Sequence, residues 1–188
     1  MSRPVLATTR LQLRPMTLEH LPLLVDLDSD PEVMRYLIGR ARTRPEAEEF
    51  WVPRCADESA DTLGLGWWAG FAGDDFVGWW DLGRSDSDPS ATVAHRRPEA
   101  GWRLRRAFWR QGLASEGAIA LLDHGFRTVG VDAVWAETMA VNQGSRGVMR
   151  RLGMRHIATE VREWDDPLPG SDLGEVVYEI TREEWLRR

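Results

Sequence analysis

Two short segments, Gly66–Ala72 and Phe76–Gly83, carry strand-like runs on either side of the connection Gly73-Asp74-Asp75. That is the pattern of an antiparallel β-hairpin. Each strand holds an adjacent Trp pair, Trp67–Trp68 and Trp79–Trp80. Neighbouring residues of a strand point to opposite faces. One Trp of each pair is therefore expected in a core, with the other directed elsewhere, a ligand cleft being one candidate. For any single Trp, core packing is the first expectation.

The flanking segments extend the pattern. Leu6–Arg14 reads as a first strand ended by Pro15, and Thr17 as the cap of a helix with Leu21, Leu24 and Val25 on one face. Helical stretches follow at Pro31–Leu37 and Arg44–Asp57, with Pro45 suited to the first turn of the latter. Arg84–Pro98 reads as a loop. Then come a strand, Glu99–Leu104, and a helix, Ala114–Phe126, with Ala118, Leu121, Leu122 and Phe126 at helical spacing. Val131–Met139 reads as a strand, followed by a helix capped by Asn142 and stopped at Gly153. Strands at Met154–Trp164 and Glu175–Ile180, a loop between them and a short helix from Glu183 complete the chain. Strands and helices in this order predict an α/β (α+β mixed) fold, a mixed sheet with helices on both faces. No linker divides residues 1–188, so a single domain is expected.

The formal net charge is −6, which argues against general nucleic-acid binding and suits a cationic amine substrate. No apolar run approaches the roughly 20 residues of a membrane helix. Met1–Arg10 lacks the apolar core of a signal peptide. A cytoplasmic protein is expected. Cys55 has no partner for an internal disulfide, and its polar surroundings fit a bystander thiol better than a nucleophile. All 24 basic residues are Arg, and Asn142 is the single Asn. Arg clusters are accordingly weaker signs of phosphate binding here than in a sequence that also uses Lys.

The segment most informative about function is Trp109-Arg110-Gln111-Gly112-Leu113-Ala114-Ser115-Glu116. A strand runs into a glycine turn that opens a helix. A helix start carries unpaired amides and a positive dipole end, and a glycine lets an anion approach that backbone. Arg105, Arg106 and Arg110 add positive charge around the turn. Physically this is a phosphate cradle, although many helices begin after Gly with no ligand. The Gly-Lys-Ser/Thr of a nucleoside-triphosphate loop and the Gly-x-Gly-x-x-Gly of a dinucleotide site are both absent.

Glu99 through Glu116 resembles the signature stretch of GNAT acetyltransferases. More narrowly, it is similar to the group that acetylates ribosomal-protein N-termini, with its Trp-Gly-Lys-Gly-Tyr-Ala-Thr-Glu pattern. A second stretch, Asn142-Gln143-Gly144-Ser145-Arg146 followed by Leu152-Gly153-Met154, resembles the family's Asn-x-x-Ser…Leu-Gly-Phe segment. Nearly the whole chain is covered. The resemblance implies the GNAT acyl-CoA N-acyltransferase fold, with a mostly antiparallel sheet of about six or seven strands. It implies acetyl-CoA as co-substrate, no metal and an amine acceptor: a protein N-terminus, a polyamine, an amino acid or an aminoglycoside-like antibiotic. A homodimer is the base-rate expectation.

In the mechanism that the resemblance implies, a neutral amine attacks the acetyl thioester. Glu99 is the candidate base, directly or through water, with Asp81, Asp165 and Asp166 as alternatives. Glu99 is also readable as an ordinary exposed strand-end carboxylate. Many family members protonate the departing thiolate with a Tyr, but the two Tyr here, Tyr36 and Tyr178, lie away from that motif. Ser145 is the candidate hydrogen-bond donor, with a plain first-turn Ser as the alternative. Trp102, Arg103 and Leu104 are expected to offer backbone N–H groups to the thioester carbonyl and the pantetheine arm. Arg110, Gln111, Gly112, Leu113, Ala114 and Ser115 are expected around the diphosphate, and Asn142 against the pantetheine. A CoA-binding module without catalysis is the competing reading.

Overall fold

The computed structural model describes residues 3–57, 62–83 and 96–188. The expected loop Arg84–Pro98 therefore lies mostly outside the described residues. The strands are β1 (Leu6–Ala7), β2 (Gln12–Pro15), β3 (Gly66–Ala72), β4 (Asp75–Gly83), β5 (Glu99–Leu104), β6 (Ala133–Met139), β7 (Arg155–Glu160) and β8 (Glu175–Thr181). They form one sheet in the order β1-β2-β3-β4-β5-β6-β8-β7. Every neighbouring pair is antiparallel except β5 and β6. The helices are α1 (Leu21–Asp28), α2 (Pro31–Met34), α3 (Arg44–Cys55), α4 (Leu113–Asp123), α5 (Gln143–Arg151) and α6 (Arg182–Leu186).

The sheet has eight strands rather than six or seven, because the segment Leu6–Arg14 is not one strand. The Thr8 amide donates to the Leu11 carbonyl at 2.8 Å and closes a turn, so that Leu6 pairs with Leu13. Pro15 is the last residue of β2 rather than its terminator. Several expected elements are shorter than the sequence suggests: Met154–Trp164 keeps only Arg155–Glu160 as strand, and Pro31–Leu37 only Pro31–Met34 as helix. Among the described residues, no helix is long and apolar enough to cross a membrane.

Each face of the sheet carries its own core. Trp68 and Trp80 point to the face covered by α4 and α5, among Leu121, Leu122, Phe126 and Leu152. Trp79 and the partly buried Trp67 point to the opposite face, against Trp51 of α3 and Leu24 and Leu27 of α1. Both members of each Trp pair thus pack in cores on opposite faces, in line with the first expectation for any single Trp, with Trp67 partly buried at the edge of its core. The rings of Trp51, Trp67 and Trp79 meet edge-on at centroid separations of 4.8–5.6 Å. Contacts of this kind are worth about 0.5–1.5 kcal/mol each beyond area burial.

Gly117 sets the height of α4 above the sheet. A Cβ on it would lie 2.4 Å from Trp80 Cε2, so only glycine admits this approach. The Trp80 indole then donates to the Ala114 carbonyl at 3.0 Å, fixing the first turn of α4 over β4.

Candidate active site

The site begins with a fork. The parallel register of β5 and β6 holds a single pair, Glu99 with Trp135, and the Trp135 amide donates to the Pro98 carbonyl at 3.2 Å. Beyond it β6 stays paired with β8 through Met139, while β5 stays paired with β4 through Leu104. The strands diverge from Glu99 toward Leu104, a stretch of about 17 Å at roughly 3.3 Å per residue.

Which backbone groups face this opening follows from one hydrogen bond. The Arg105 amide donates to the Val77 carbonyl at 2.9 Å. In an antiparallel ladder, bonded and non-bonded pairs alternate. The Arg103–Trp79 pair is therefore a bonded one, and the amides of Trp102 and Leu104 point away from β4, into the fork. The Leu104 carbonyl, pointing the same way, accepts from the Trp109 indole at 2.7 Å. The backbone amide of Arg103 itself is turned to β4.

One prong of the fork ends in the glycine turn. Arg110 has φ 59 and Gly112 φ 78, both left-handed, and Leu113 resumes the right-handed helix. A left-handed residue followed by a right-handed one converges successive amides into an anion-binding nest. The first i to i−4 bond of α4 runs from the Glu116 amide to the Gly112 carbonyl at 3.0 Å, so the amides of Leu113, Ala114 and Ser115 have no intrahelical acceptor. A Cβ at Gly112 would meet only Arg10 Nη2, at 3.6 Å, and the backbone is open to a bulky anion. The donors and the open approach fit a diphosphate.

The turn is held from behind by residues that sequence reading did not single out. Glu116 accepts from the Thr8 hydroxyl (2.6 Å), the Arg10 amide (2.9 Å) and Arg10 Nε (2.7 Å). Burial opposes ionisation of Glu116, but these hydrogen bonds outweigh it and hold its pKa below the ordinary carboxylate range. Arg10 also donates to the Gln111 carbonyl at 3.0 Å, and the Gln111 side chain donates to the Ala107 carbonyl at 2.8 Å. The clamp joins residues more than a hundred positions apart, and no local pattern announces it.

The arginines divide differently from expectation. Arg105 pairs with Asp26 at 3.2 Å and Arg106 with Asp30 at 2.7 Å, so both are turned to the end of α1 and the start of α2 instead of the nest. A cleft of about 310 Å³ lies along this seam, lined by Asp26, Ser29, Asp30, Arg105 and Arg106 among others. The Arg103 side chain is buried on the α1 face, where it donates to Asp28 at 2.5 Å. Burial pulls its pKa below the ordinary guanidinium value, against the opposing pull of Asp28. Of the arginines expected near the phosphate, Arg110 alone forms no ion pair among the described residues.

The other prong carries Asn142, the N-cap of α5. Its side-chain oxygen accepts from the Ser145 amide at 3.2 Å, and its NH2 donates to Thr138 Oγ1 on β6 at 3.0 Å. Both halves of the amide are used; an Asp cap has no donor for Thr138, and the single, shorter hydroxyl of Ser lacks the amide's two separate arms. Ser145 is half-buried in the first turn of α5, on the β6 side of the fork. Glu99 stands at the apex, half-buried, on the sheet face shared with Arg103. Asp81 is buried on that same face, opposite Gly101 and two register positions from Glu99 across the β4–β5 pair. Asp165 and Asp166 are exposed beyond the end of β7. Burial pushes the Cys55 thiol up to about 11, which removes it as a nucleophile at neutral pH.

The sequence pattern of the acetyltransferase (GNAT) domain matches residues 10–155 of this fold, from the Arg10 clamp through both prongs. The chain belongs to the GNAT acetyltransferases. A curated relative from Aspergillus fumigatus, the FsC-acetyl coenzyme A-N(2)-transacetylase, is 41% identical over 99% of this chain and 80% of its own length. YkkB of Bacillus subtilis, an uncharacterised protein, is 30% identical over 87% of this chain and 91% of its own. Among solved structures, the ribosomal L7/L12 α-N-protein acetyltransferase RimL, in complex with coenzyme A, superposes with TM-score 0.76 at 19% identity, covering 96% of this chain and 99% of that one. Spermidine N-acetyltransferase from Vibrio cholerae, holding CoA and spermine, superposes with TM-score 0.75 at 16% identity, covering 95% and 99%. At such identities these two structures bear on the GNAT fold alone. The narrower likeness to ribosomal-protein enzymes therefore gains no support beyond the family itself.

Proposed function

We propose that this GNAT enzyme transfers the acetyl group of acetyl-CoA to a primary amine of a small molecule, by direct attack within the β5–β6 fork. The carrying observation is the fork itself: inward amides at Trp102 and Leu104, the nest at Gly112 on one prong and the doubly engaged Asn142 on the other. In this reading, the amides of Gly112, Leu113, Ala114 and Ser115 take the diphosphate, with Arg110 and Gln111 beside them. Trp102 pairs with the pantetheine arm as a missing strand would, and its amide or that of Leu104 receives the thioester carbonyl. Arg103 makes no direct contact with the cofactor in this reading, since its amide is turned to β4 and its side chain to Asp28.

The acceptor enters as an ammonium, since α-amino groups have pKa values near 8. Glu99, at the apex, takes the proton. The amine nitrogen bonds to the carbonyl carbon, the carbon–sulfur bond breaks, and the second proton of that nitrogen passes to the departing thiolate, giving the amide and the CoA thiol, with the Ser145 hydroxyl as hydrogen-bond donor to the sulfur. A small-molecule acceptor is preferred to a ribosomal-protein N-terminus. The relative at 41% identity is named for transfer to a numbered nitrogen, N(2), while the ribosomal-protein enzyme stands at 19%.

The test is thiol release from acetyl-CoA across a panel of small primary amines and peptide N-termini, for the native enzyme and Glu99→Gln. Turnover on small amines, with kcat lowered about 10²–10⁴-fold in Glu99→Gln, is the expected result. Turnover on peptides alone would overturn the acceptor class. Acetyl-CoA binding without thiol release on any amine would make the chain a CoA-binding module.

A further inference from the structure

The buried charge beneath β5 has no place in the chemistry just described. Asp28, at the C-terminal end of α1, is wholly buried, and its carboxylate accepts from Arg103 (2.5 Å), Arg42 (2.7 Å) and the Trp51 indole (2.9 Å). The Arg103 guanidinium also lies 4.9 Å from the Trp79 ring centroid. A buried ion pair is a weak stabiliser, since desolvation offsets most of its Coulomb attraction. Stability alone is a poor reason for this one.

Its position suggests another. Arg103 stands between Trp102 and Leu104, the two residues whose amides face the fork. At that level β6 has departed, so β5 has a strand on one side only. A strand segment with half its ladder missing is free to twist, yet hydrogen-bond donors for a developing oxyanion act only when held in place beforehand. The Asp28–Arg103 bond grips the segment from the α1 face. Arg105–Asp26 and Arg106–Asp30 continue the same seam into the turn, so the end of α1 and the start of α2 hold strand and turn together.

We infer that Asp28 and Arg103 are positioning residues, which fix the pitch of β5 so that the Trp102 and Leu104 amides meet the acetyl carbonyl. The inference rests on the acetyl-transfer reading above. Arg103→Met tests it, because Asp28 keeps Arg42 and Trp51 as partners. Arg103→Lys restores the charge and one hydrogen bond. CoA affinity by titration calorimetry reports on the nest. Steady-state kcat and KM with acetyl-CoA and the best amine report on the carbonyl. A thermal melt reports on the fold.

The expected result for Arg103→Met is kcat reduced about 10- to 100-fold, as for a sub-ångström to one-ångström misplacement of a catalytic group, with CoA affinity within about threefold of native. Arg103→Lys recovers part of kcat. A folded Arg103→Met enzyme with kcat within about twofold of native overturns the inference while leaving the acetyl-transfer reading intact. Equal losses in CoA affinity and kcat, tracking the loss in melting temperature, overturn it in favour of a structural role. A native enzyme that binds CoA but acetylates no amine overturns the parent reading and this inference with it.

Discussion

Replacing Gly112 by Glu separates a local steric effect from an electrostatic one. The site has room: a Cβ there meets only Arg10 Nη2, at 3.6 Å. The backbone is the first obstacle, because φ 78 is left-handed and costs an L-residue about 1–2 kcal/mol. The new carboxylate would stand about 5 Å from a diphosphate in the nest. Coulomb repulsion there, at an effective dielectric of about 20–80, is about 1–3 kcal/mol per unit charge, or about five- to 150-fold in affinity. Arg10 neutralises part of it, but Arg10 is already engaged by Glu116 at 2.6 Å. Gly112→Ala carries the backbone strain without the charge. Calorimetric titration with CoA should give a dissociation constant at least about fivefold weaker for Gly112→Glu, and within about threefold of native for Gly112→Ala, both melting a few degrees lower. A folded Gly112→Glu protein that binds CoA as tightly as native would refute the nest as the diphosphate site.

Gly117→Ala places a methyl group 2.4 Å from Trp80 Cε2, and overpacking of this kind should destabilise by about 1–3 kcal/mol, read as a drop of about 2–4 °C in Tm for each kcal/mol. Asn142→Ser keeps a cap for α5 but gives up the bond to Thr138. The lost bond, worth about 0.5–1.5 kcal/mol, should lower Tm by a few degrees, and KM for acetyl-CoA should rise with it if the amide also meets the pantetheine arm as the family resemblance implies. Acid should lower stability in part through two carboxylates whose folded pKa is depressed, each contributing modestly because both are solvent-exposed. Glu46 is held at about 2, chiefly by Arg40 and then by the Thr43 amide, and Glu184 at about 2, chiefly by the Thr181 amide. Since unfolded Glu titrates at about 4.3, their contribution is complete above that pH and is lost as pH falls toward 2. Urea midpoints should be flat from about pH 7 to 5 and decline below, and Glu46→Gln should lessen the decline.

The elements of the sheet were legible where hydrophobic period and glycine punctuation agree, as in the β3–β4 hairpin and in α4 after Gly112. The segment from Leu6 to Arg14 reads as one strand because its reversal depends on the Thr8–Leu11 bond, which leaves no Gly or Pro in the sequence. At the site, Gly112 and Asn142 could be found because backbone conformation and capping are local properties. The roles of Arg103, Arg105 and Arg106 could not. Their partners Asp28, Asp26 and Asp30 lie some 75 positions earlier, and a guanidinium's destination is decided by packing. The same holds for the Trp pairs: alternation placed them on opposite faces, but only the helices docked on both faces made both positions core.

A crystal structure of the enzyme grown with CoA bears most directly on the grip of the α4 start upon the cofactor. The diphosphate oxygens should lie about 3 Å from the amides of Gly112, Leu113 and Ala114, with the pantetheine chain alongside Trp102. A diphosphate seated instead on the Arg105–Asp26 and Arg106–Asp30 seam, with the α4 amides facing water, would contradict the account.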